Sequence, residues 1–505
     1  MGYLIVLAIV YIAINAFLWF RSSQLICAIC GYTTLKEFLL LVKDILISIK
    51  NGEPPSYEDT SSETIQRNKC LAILGAYTLI HLFLMTSIIT WTWFDGSGTA
   101  HTLKYISNVW IGIFLYTIMF WLIGEIVTLI RWIILIRKPE RDRRNSIKAR
   151  KARIRIKKEE DGDAVKKIKL PDQVSASLNK IKSLYHKAAD KLAIALAPTP
   201  EGHRRFMLTR TCFVALMVAI FSIYGVVHAG SIDVKTYNIK SDKMSENDNI
   251  KIALVSDMHL GYTIGDKHMK KMVKIINDED VDLVCVAGDI MDNDYRAIKD
   301  PDKVAKTLSK IKSKYGVYGV YGNHDIKEKL VAGFSLYDPP KNKIPKNLDQ
   351  MMKDANITIL QDETAIVGED IQLIGRIDGE KPNNNVERQT ISQLIADLDQ
   401  EKFIIDIDHE PDQFGPKVVS GVDLDLSGHT HNGQIFPGNI LLRSMWSNSY
   451  GHKSIGSFNS IVTSGVGVWG PAMRVATNNE VVIINVEFSK EKEANVKKKT
   501  NRSNK

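Results

Sequence analysis

The chain has 505 residues, 45% hydrophobic and 24% charged, with a formal net charge of +9. This length allows more than one domain, and the composition is that of a globular protein. The five cysteines, Cys27, Cys30, Cys70, Cys212 and Cys285, show no disulfide framework, which sets aside a disulfide-stapled fold. The averages conceal a split. Up to about residue 230 long apolar stretches alternate with basic ones, and beyond it the pattern is that of a soluble α/β domain.

Four apolar stretches approach the roughly 20 residues that a helix needs to cross a bilayer: Tyr3–Phe20, Cys70–Phe94, Val109–Ile130 and Leu208–Val227. The first lacks a basic n-region and a small-residue cleavage site, so it reads as a retained span rather than a signal. Between the first two lies Lys36–Lys50 (KEFLLLVKDILISIK), an amphipathic helix for the inner membrane surface or for packing on the spans. Glu125, an ionisable group at membrane depth, raises a functional question. The structural alternative, a hydrogen bond to His81 or a neighbouring helix, is favoured, because one acid makes no transport path. Cys27-Ala-Ile-Cys30 has redox or zinc spacing but no second pair of ligands.

Between Arg137 and Lys191 stand nineteen Lys/Arg against eight Asp/Glu. Beside membrane spans such a run marks a cytoplasmic loop. The 21–69 loop is also basic, whereas the 95–107 loop has only Lys104. With four spans, these loops place the N-terminus and everything after residue 230 outside the cytoplasmic membrane, in a multi-pass protein. The expected domains are three spans over 1–135, a basic cytoplasmic linker over 136–205, a fourth span over 206–229, a soluble domain over 230–488 and a disordered basic tail over 489–505.

In the soluble half, predicted strands at Lys251–Ser256, Val281–Ala287 and Gly316–Tyr321 alternate with helical patterns at Asp266–Asn277 and Lys303–Lys312. Further strands are expected at Ile371–Ile374, Phe403–Ile407, Leu424–Leu426, Ser460–Thr463 and Val481–Val486. Cys285, inside one such run, reads as a small buried hydrophobe. In sheets of this kind ligands bind beyond the carboxyl ends of the strands, and the polar clusters fall there. Asp257 and His259 lie in DMH. Asp289 and Asp292 lie in GDIMD, Asn323, His324 and Asp325 in GNHD, His409 in IDHEP, and His429 and His431 in GHTH. One such residue is usually a cap or a turn residue. Five clusters in order, with five of the twelve histidines, are not accidental.

This motif set, over roughly residues 250–487, resembles the calcineurin-like metallophosphoesterases, and GHTHNGQI is most similar to their bacterial membrane-associated branch. The resemblance implies a metallophosphoesterase-type αββα sandwich, and the apolar stretches put an all-α transmembrane region of about four helices before it. It implies two divalent ions, one on Asp257, His259, Asp289 and His431, the other on Asp289, Asn323, His409 and His429, with Asp289 bridging. Carboxylate, amide and imidazole ligands suit Mn, Fe or Zn better than Ca, and the missing thiolate argues against a structural zinc site. Gly433 frees the turn that carries both imidazoles. Asn432 departs from the resemblance, standing where many relatives have glycine.

The implied activity is phosphate-ester hydrolysis, with diester or broad specificity favoured. The ion pair would lower the pKa of a bridging water from about 15.7 to about 7, and the hydroxide would attack phosphorus in line. His324 resembles the family's general acid, with Asp325 orienting its ring. Asp292 is expected to hold the turn. Arg474 is a candidate for a substrate phosphate, with a structural arginine as the equal alternative. Expected substrates are small-molecule, lipid or envelope phosphoesters. Nucleic acid is not favoured, because the densest basic run lies away from the site. The competing reading is a catalytically inactive membrane sensor or scaffold, which has no need of all seven ligand positions.

Overall fold

The computed structural model describes residues 2–32, 35–51, 61–93, 98–159, 200–327, 330–331, 334–335, 343–379 and 386–489. The expected tail and residues 160–199 of the expected linker lie outside them. The chain forms two compact units, one of Met1–Leu82 with Leu115–Ala219, the other of Phe83–Phe114 with Ile220–Lys505.

Five helices carry the first unit and lead into the second: α1 (Gly2–Ile29), α2 (Leu35–Asn51), α3 (Ser61–Trp93), α4 (Gly98–Glu159) and α5 (Pro200–His228). Two stretches, His101–Ile133 of α4 and Arg205–His228 of α5, are long and apolar enough to cross a membrane. The expectation of about four spans is therefore met by two among the described residues. The other two expected spans, Tyr3–Phe20 in α1 and Cys70–Phe94 in α3, fall partly on residues whose side chains lie outside the described ones. The apolar stretch of α4 ends at Ile133, and the helix itself runs on to Glu159.

Glu125 does not pair with His81. It accepts from Arg21 (2.7 Å) and the Trp121 indole (3.0 Å), and it lies 3.2 Å from Arg210. Two guanidiniums within one unit are stronger partners for a carboxylate than a neutral imidazole. Helix α2 buries Leu35 and Phe38 in an apolar cluster with Cys27, Cys70 and Leu74, while Cys30 packs against it. All five cysteines are free thiols.

The second unit holds two six-stranded sheets. Strands β1 (Asp233–Met244), β2 (Asn249–Val255), β3 (Leu283–Ala287) and β4 (Val317–Val320) come first. A small hairpin, β5 (Leu330–Val331) and β6 (Phe334–Ser335), follows. Then come β7 (Ile357–Ile359), β8 (Glu363–Val367), β9 (Ile371–Gly375), β10 (Phe403–Ile407), β11 (Leu424–Ser427), β12 (Gly451–Ile455), β13 (Phe458–Val462) and β14 (Glu480–Ser489). One sheet has the order β1-β14-β2-β3-β4-β7, the other β12-β13-β11-β10-β9-β8. Strands β2–β4 pair in parallel, as do β9–β10–β11–β13.

The sheets face each other across a core that includes Leu254, Cys285, Ile405, Leu426 and Ile484. Helices α6 (Asp266–Asp278), α7 (Pro301–Leu308) and α8 (Lys346–Asp354) cover the first sheet. Helices α9 (Ile391–Ile395) and α10 (Phe414–Ser420) cover the second. This is the four-layer α/β arrangement expected. Strands buried on both faces run nearly continuously apolar rather than alternating, as LVCVA does, and the equally buried FIIDI carries one acid, Asp406. Edge strand β1, DVKTYNIKSDKM, alternates and is half exposed.

Candidate metal centre

The polar clusters gather where five strands of the two sheets end, after β2, β3, β4, β10 and β11. Five of the seven expected ligands, Asp257, His259, Asp289, His429 and His431, have φ between 45° and 67°. Such backbone costs on the order of 1–3 kcal/mol per residue and persists where surrounding structure enforces it, characteristically at functional sites. The turn after β11 continues through Gly433 at φ 77° into α11 (Gly438–Leu442), and a Cβ on Gly433 would strike the backbone of Asn439.

The donors converge in two groups. His259 Nε2 lies 2.9 Å from His431 Nε2, which lies 3.3 Å from Asp257 Oδ1. His409 Nε2 lies 3.1 Å from Asn323 Oδ1 and 3.3 Å from His429 Nδ1, and that His429 nitrogen is 3.2 Å from Asn323 Oδ1. Asp289 Oδ2 joins the groups, 3.5 Å from His259 Nε2 and 3.2 Å from His409 Nε2. Its other oxygen accepts the His324 amide (2.8 Å). Buried Asp and His atoms that could hold an ion therefore cluster here.

Second contacts fix these rings. A carbonyl only accepts, so His409 Nδ1 donates to Ala287 O (2.8 Å) and leaves Nε2 facing the site. The His429 amide donates to both oxygens of Asp257 (3.1 and 3.2 Å). Burial, with the charge of His409, pulls His429 down to about 3. Burial pulls His431 down to about 4 against the pull of Asp257. Both imidazoles are thus neutral at neutral pH, as ligation requires. Burial pushes Asp257 and Asp289 upward, but contact with the neighbouring imidazoles, His431 at Asp257 and His409 at Asp289, outweighs it and draws both carboxyls below the usual carboxylate range. A buried carboxylate pair that already draws positive charge toward it, with imidazole nitrogens on the same space, fits a divalent cation.

His324 is one-fifth exposed, its ring 4.9 Å from that of His259. Asp325 does not orient that ring. Its carboxylate accepts the amides of Met291 and Gly322 (2.8 Å each), and burial with the charge of Asp289 pushes it up to about 7. The ring is held instead by Asn293 Oδ1 at 2.5 Å, with Asp292 at 3.7 Å. Asp292 also lies 3.6 Å from His259 Nδ1, between the two rings. Asn293 escaped the sequence reading, and its one signal was its place directly after GDIMD.

Arg474 is fully buried and donates to His431 O, Ser464 O, Gly467 O and Asn479 Oδ1, with Nη2 3.2 Å from His431 Nδ1. The substrate-phosphate role is thereby replaced by the structural alternative, because the guanidinium is committed to the turn that carries His431. Lys417 also went unnoticed. It is fully buried against Asp406 (3.0 Å), Asp408 (3.0 Å) and Asp425 (2.6 Å), and Arg388 reaches Asp408 at 2.6 Å. This network anchors the end of β10 immediately before His409.

Residues 250–433 match the family model described as calcineurin-like phosphoesterase. An uncharacterized metallophosphoesterase of Campylobacter jejuni is 28% identical over 310 residues, 59% of this chain and 76% of its own. Another, from Aquifex aeolicus, is 28% identical over 258 residues, 50% of this chain and 91% of its own. A Danio rerio protein described as a transmembrane protein with metallophosphoesterase domain is 26% identical over 294 residues, 54% of this chain and 62% of its own. Among solved structures, a 5'-nucleotidase precursor of Thermus thermophilus gives a TM-score of 0.27 at 14% identity, over 47% of this chain and 55% of that one. At that score it carries no argument about this chain.

Proposed function

Since the chain belongs, through residues 250–433, to the calcineurin-like phosphoesterase superfamily, we propose that it is a membrane-anchored hydrolase of phosphate esters, working with two divalent ions (Mn, Fe or Zn). The observation that carries this reading is Asp289 Oδ2, within 3.5 Å of an imidazole nitrogen from each donor group. Asp257, His259, Asp289 and His431 would hold one ion, and Asp289, Asn323, His409 and His429 the other. When bound, the ions supply Lewis-acid activation of water and of the phosphoryl oxygens.

The chain's own residues do the rest. Asp289 presents one oxygen to both ion positions while its other oxygen fixes the His324 backbone. His324, held through Nδ1 by Asn293, hands a proton to the departing alcohol oxygen. Diester or broad specificity is favoured, because a dianionic monoester calls for a cluster of available guanidiniums. Arg474 is committed to the His431 turn and Arg388 to Asp408. The anchoring rests on the apolar stretches of α4 and α5 and on relatives described as transmembrane proteins. The basic loops favour a multi-pass chain in the cytoplasmic membrane with the catalytic domain outside.

Full-length protein in detergent is assayed with an aryl phosphodiester and an aryl phosphomonoester, with Mn or with a chelator. Metal-dependent cleavage, stronger for the diester, is expected. A metal-loaded wild type that cleaves neither ester would overturn the reading.

A further inference from the structure

Ten large hydrophobic side chains between residues 229 and 489 are exposed among the described residues, and four of them ring the metal centre: Ile440 (58%), Leu441 (63%), Met445 (73%) and Trp469 (42%). On one side, α11 follows directly from the GHTH turn, and Trp446, next to Met445, sets its ring edge-on to His429 at 5.3 Å. On the other side, the Trp469 ring lies 5.8 Å from that of His324. Gln434 ties the two sides together, accepting from Trp469 N (3.0 Å) and donating to Trp469 O (2.8 Å).

The same rim is fastened to the apolar helices within the second unit. Ala472 N donates to Asn108 O (3.2 Å) and Arg474 N to Gly225 O (2.9 Å). A side chain at Gly112 would collide with Met473, and one at Gly225 with Val475 and Met473, so helix and segment touch backbone to side chain. Beyond DMH, Tyr262 accepts from Lys104 Nζ (2.8 Å) and Thr263 from Asn108 Nδ2 (2.9 Å). Asn108 and Gly112 lie inside His101–Ile133 and Gly225 inside Arg205–His228, the two stretches able to cross a membrane. The Trp469 side of the rim is therefore joined, through residues 472–475, to those helices, and Gln434 joins the α11 side to it. Tryptophan with neighbouring aliphatic side chains at such a level is what a bilayer interface accepts and water does not.

We propose that the substrate is an amphiphile, a phosphate ester of a lipid headgroup, reached at the bilayer surface with Ile440, Leu441, Met445 and Trp469 seated in lipid. The proposal rests on the phosphoesterase reading above. In the step, water adds to phosphorus, one P–O bond to an alcohol breaks, and the departing oxygen takes up a proton.

Two arms test it on the full-length protein. The first compares 4-nitrophenyl hexadecyl phosphate in phosphatidylcholine vesicles with 4-nitrophenyl methyl phosphate in solution. Wild type is expected to favour the hexadecyl ester about tenfold or more in kcat/KM, the return from burying about two methylene groups. A Leu441→Glu/Met445→Glu variant should lose that preference while cleaving the methyl ester as before. Equal rates for both esters in wild type, or a preference kept by the variant, overturn the proposal. The second arm needs no turnover: brominated phosphatidylcholine should quench the emission lost on Trp469→Phe substitution, and an unquenched Trp469 overturns the lipid contact. If neither ester is cleaved, the phosphoesterase reading fails by itself, and the quenching still decides whether the rim meets lipid.

Discussion

Each unit gathers a cluster of charges, half-buried in the first and buried in the second, and the two clusters are built on opposite principles. In the first unit, Glu125 is closed off by Arg21, Arg210 and the Trp121 indole, so every charge meets an opposite one. In the second, carboxylates and imidazoles converge on the same space, His259 Nε2 and His431 Nε2 only 2.9 Å apart. A self-satisfied cluster stabilises or positions, whereas converging acceptors need a cation that the chain itself does not provide. Lys417, closed around three aspartates, belongs to the first kind although it stands beside the second.

The strongest way to break this comparison is Asp289→Asn, which keeps the shape and removes the shared charge. Metal-dependent turnover should fall well beyond the ~100-fold seen when only a supporting residue is lost, as measured by steady-state hydrolysis with Mn. Lys417→Met should cost about 3–5 kcal/mol by leaving buried Asp406 and Asp425 without their cation, Asp408 keeping Arg388, read as a lowered thermal midpoint. Glu125→Gln should destabilise the helical unit by about 2–3 kcal/mol, since two arginines lose their counter-charge at membrane depth. It should leave phosphoester turnover on the metal-loaded chain intact, and a loss of turnover would make Glu125 part of the site.

Arg474→Gln sharpens the comparison, because it loosens the His431 turn without touching an ion position. Metal affinity should weaken about 10–100-fold with the fold kept, measured by competition with a chelating dye. A separate effect is in pH. Burial, with the charge of Asp378, pushes Glu410 up to about 8. The folded chain then holds a proton that the unfolded chain has released, so stability falls as pH rises from about 4.5 to about 8. In metal-free protein, Glu410→Gln should flatten that fall in the thermal midpoint.

The strand ends were legible because buried parallel strands such as LVCVA and FIIDI advertise themselves, and their ligands follow within a few residues. Strand β1 was not, because an exposed edge strand such as DVKTYNIKSDKM shows only polar alternation. The ligand types were readable from DMH, GDIMD, GNHD, IDHEP and GHTH, but their supports were not. Asn293 holds His324 across 31 positions, and Arg474 reaches His431 across 43. Asp325, the immediate neighbour of His324, turned to backbone amides instead. Adjacency in sequence misled where a tight turn sends neighbouring side chains in different directions. Among the spans, hydropathy alone did not reveal that α4 continues as helix beyond its apolar stretch.

The most direct test of the central claim counts metal. Full-length wild type and Asp289→Asn are stripped with a chelator, reloaded with Mn, freed of excess ion and analysed for metal per chain by mass spectrometry. Two convergent donor groups sharing one carboxylate predict two ions per wild-type chain and fewer in the variant. A wild type that retains no ion, or a variant that retains two as tightly, would contradict the account.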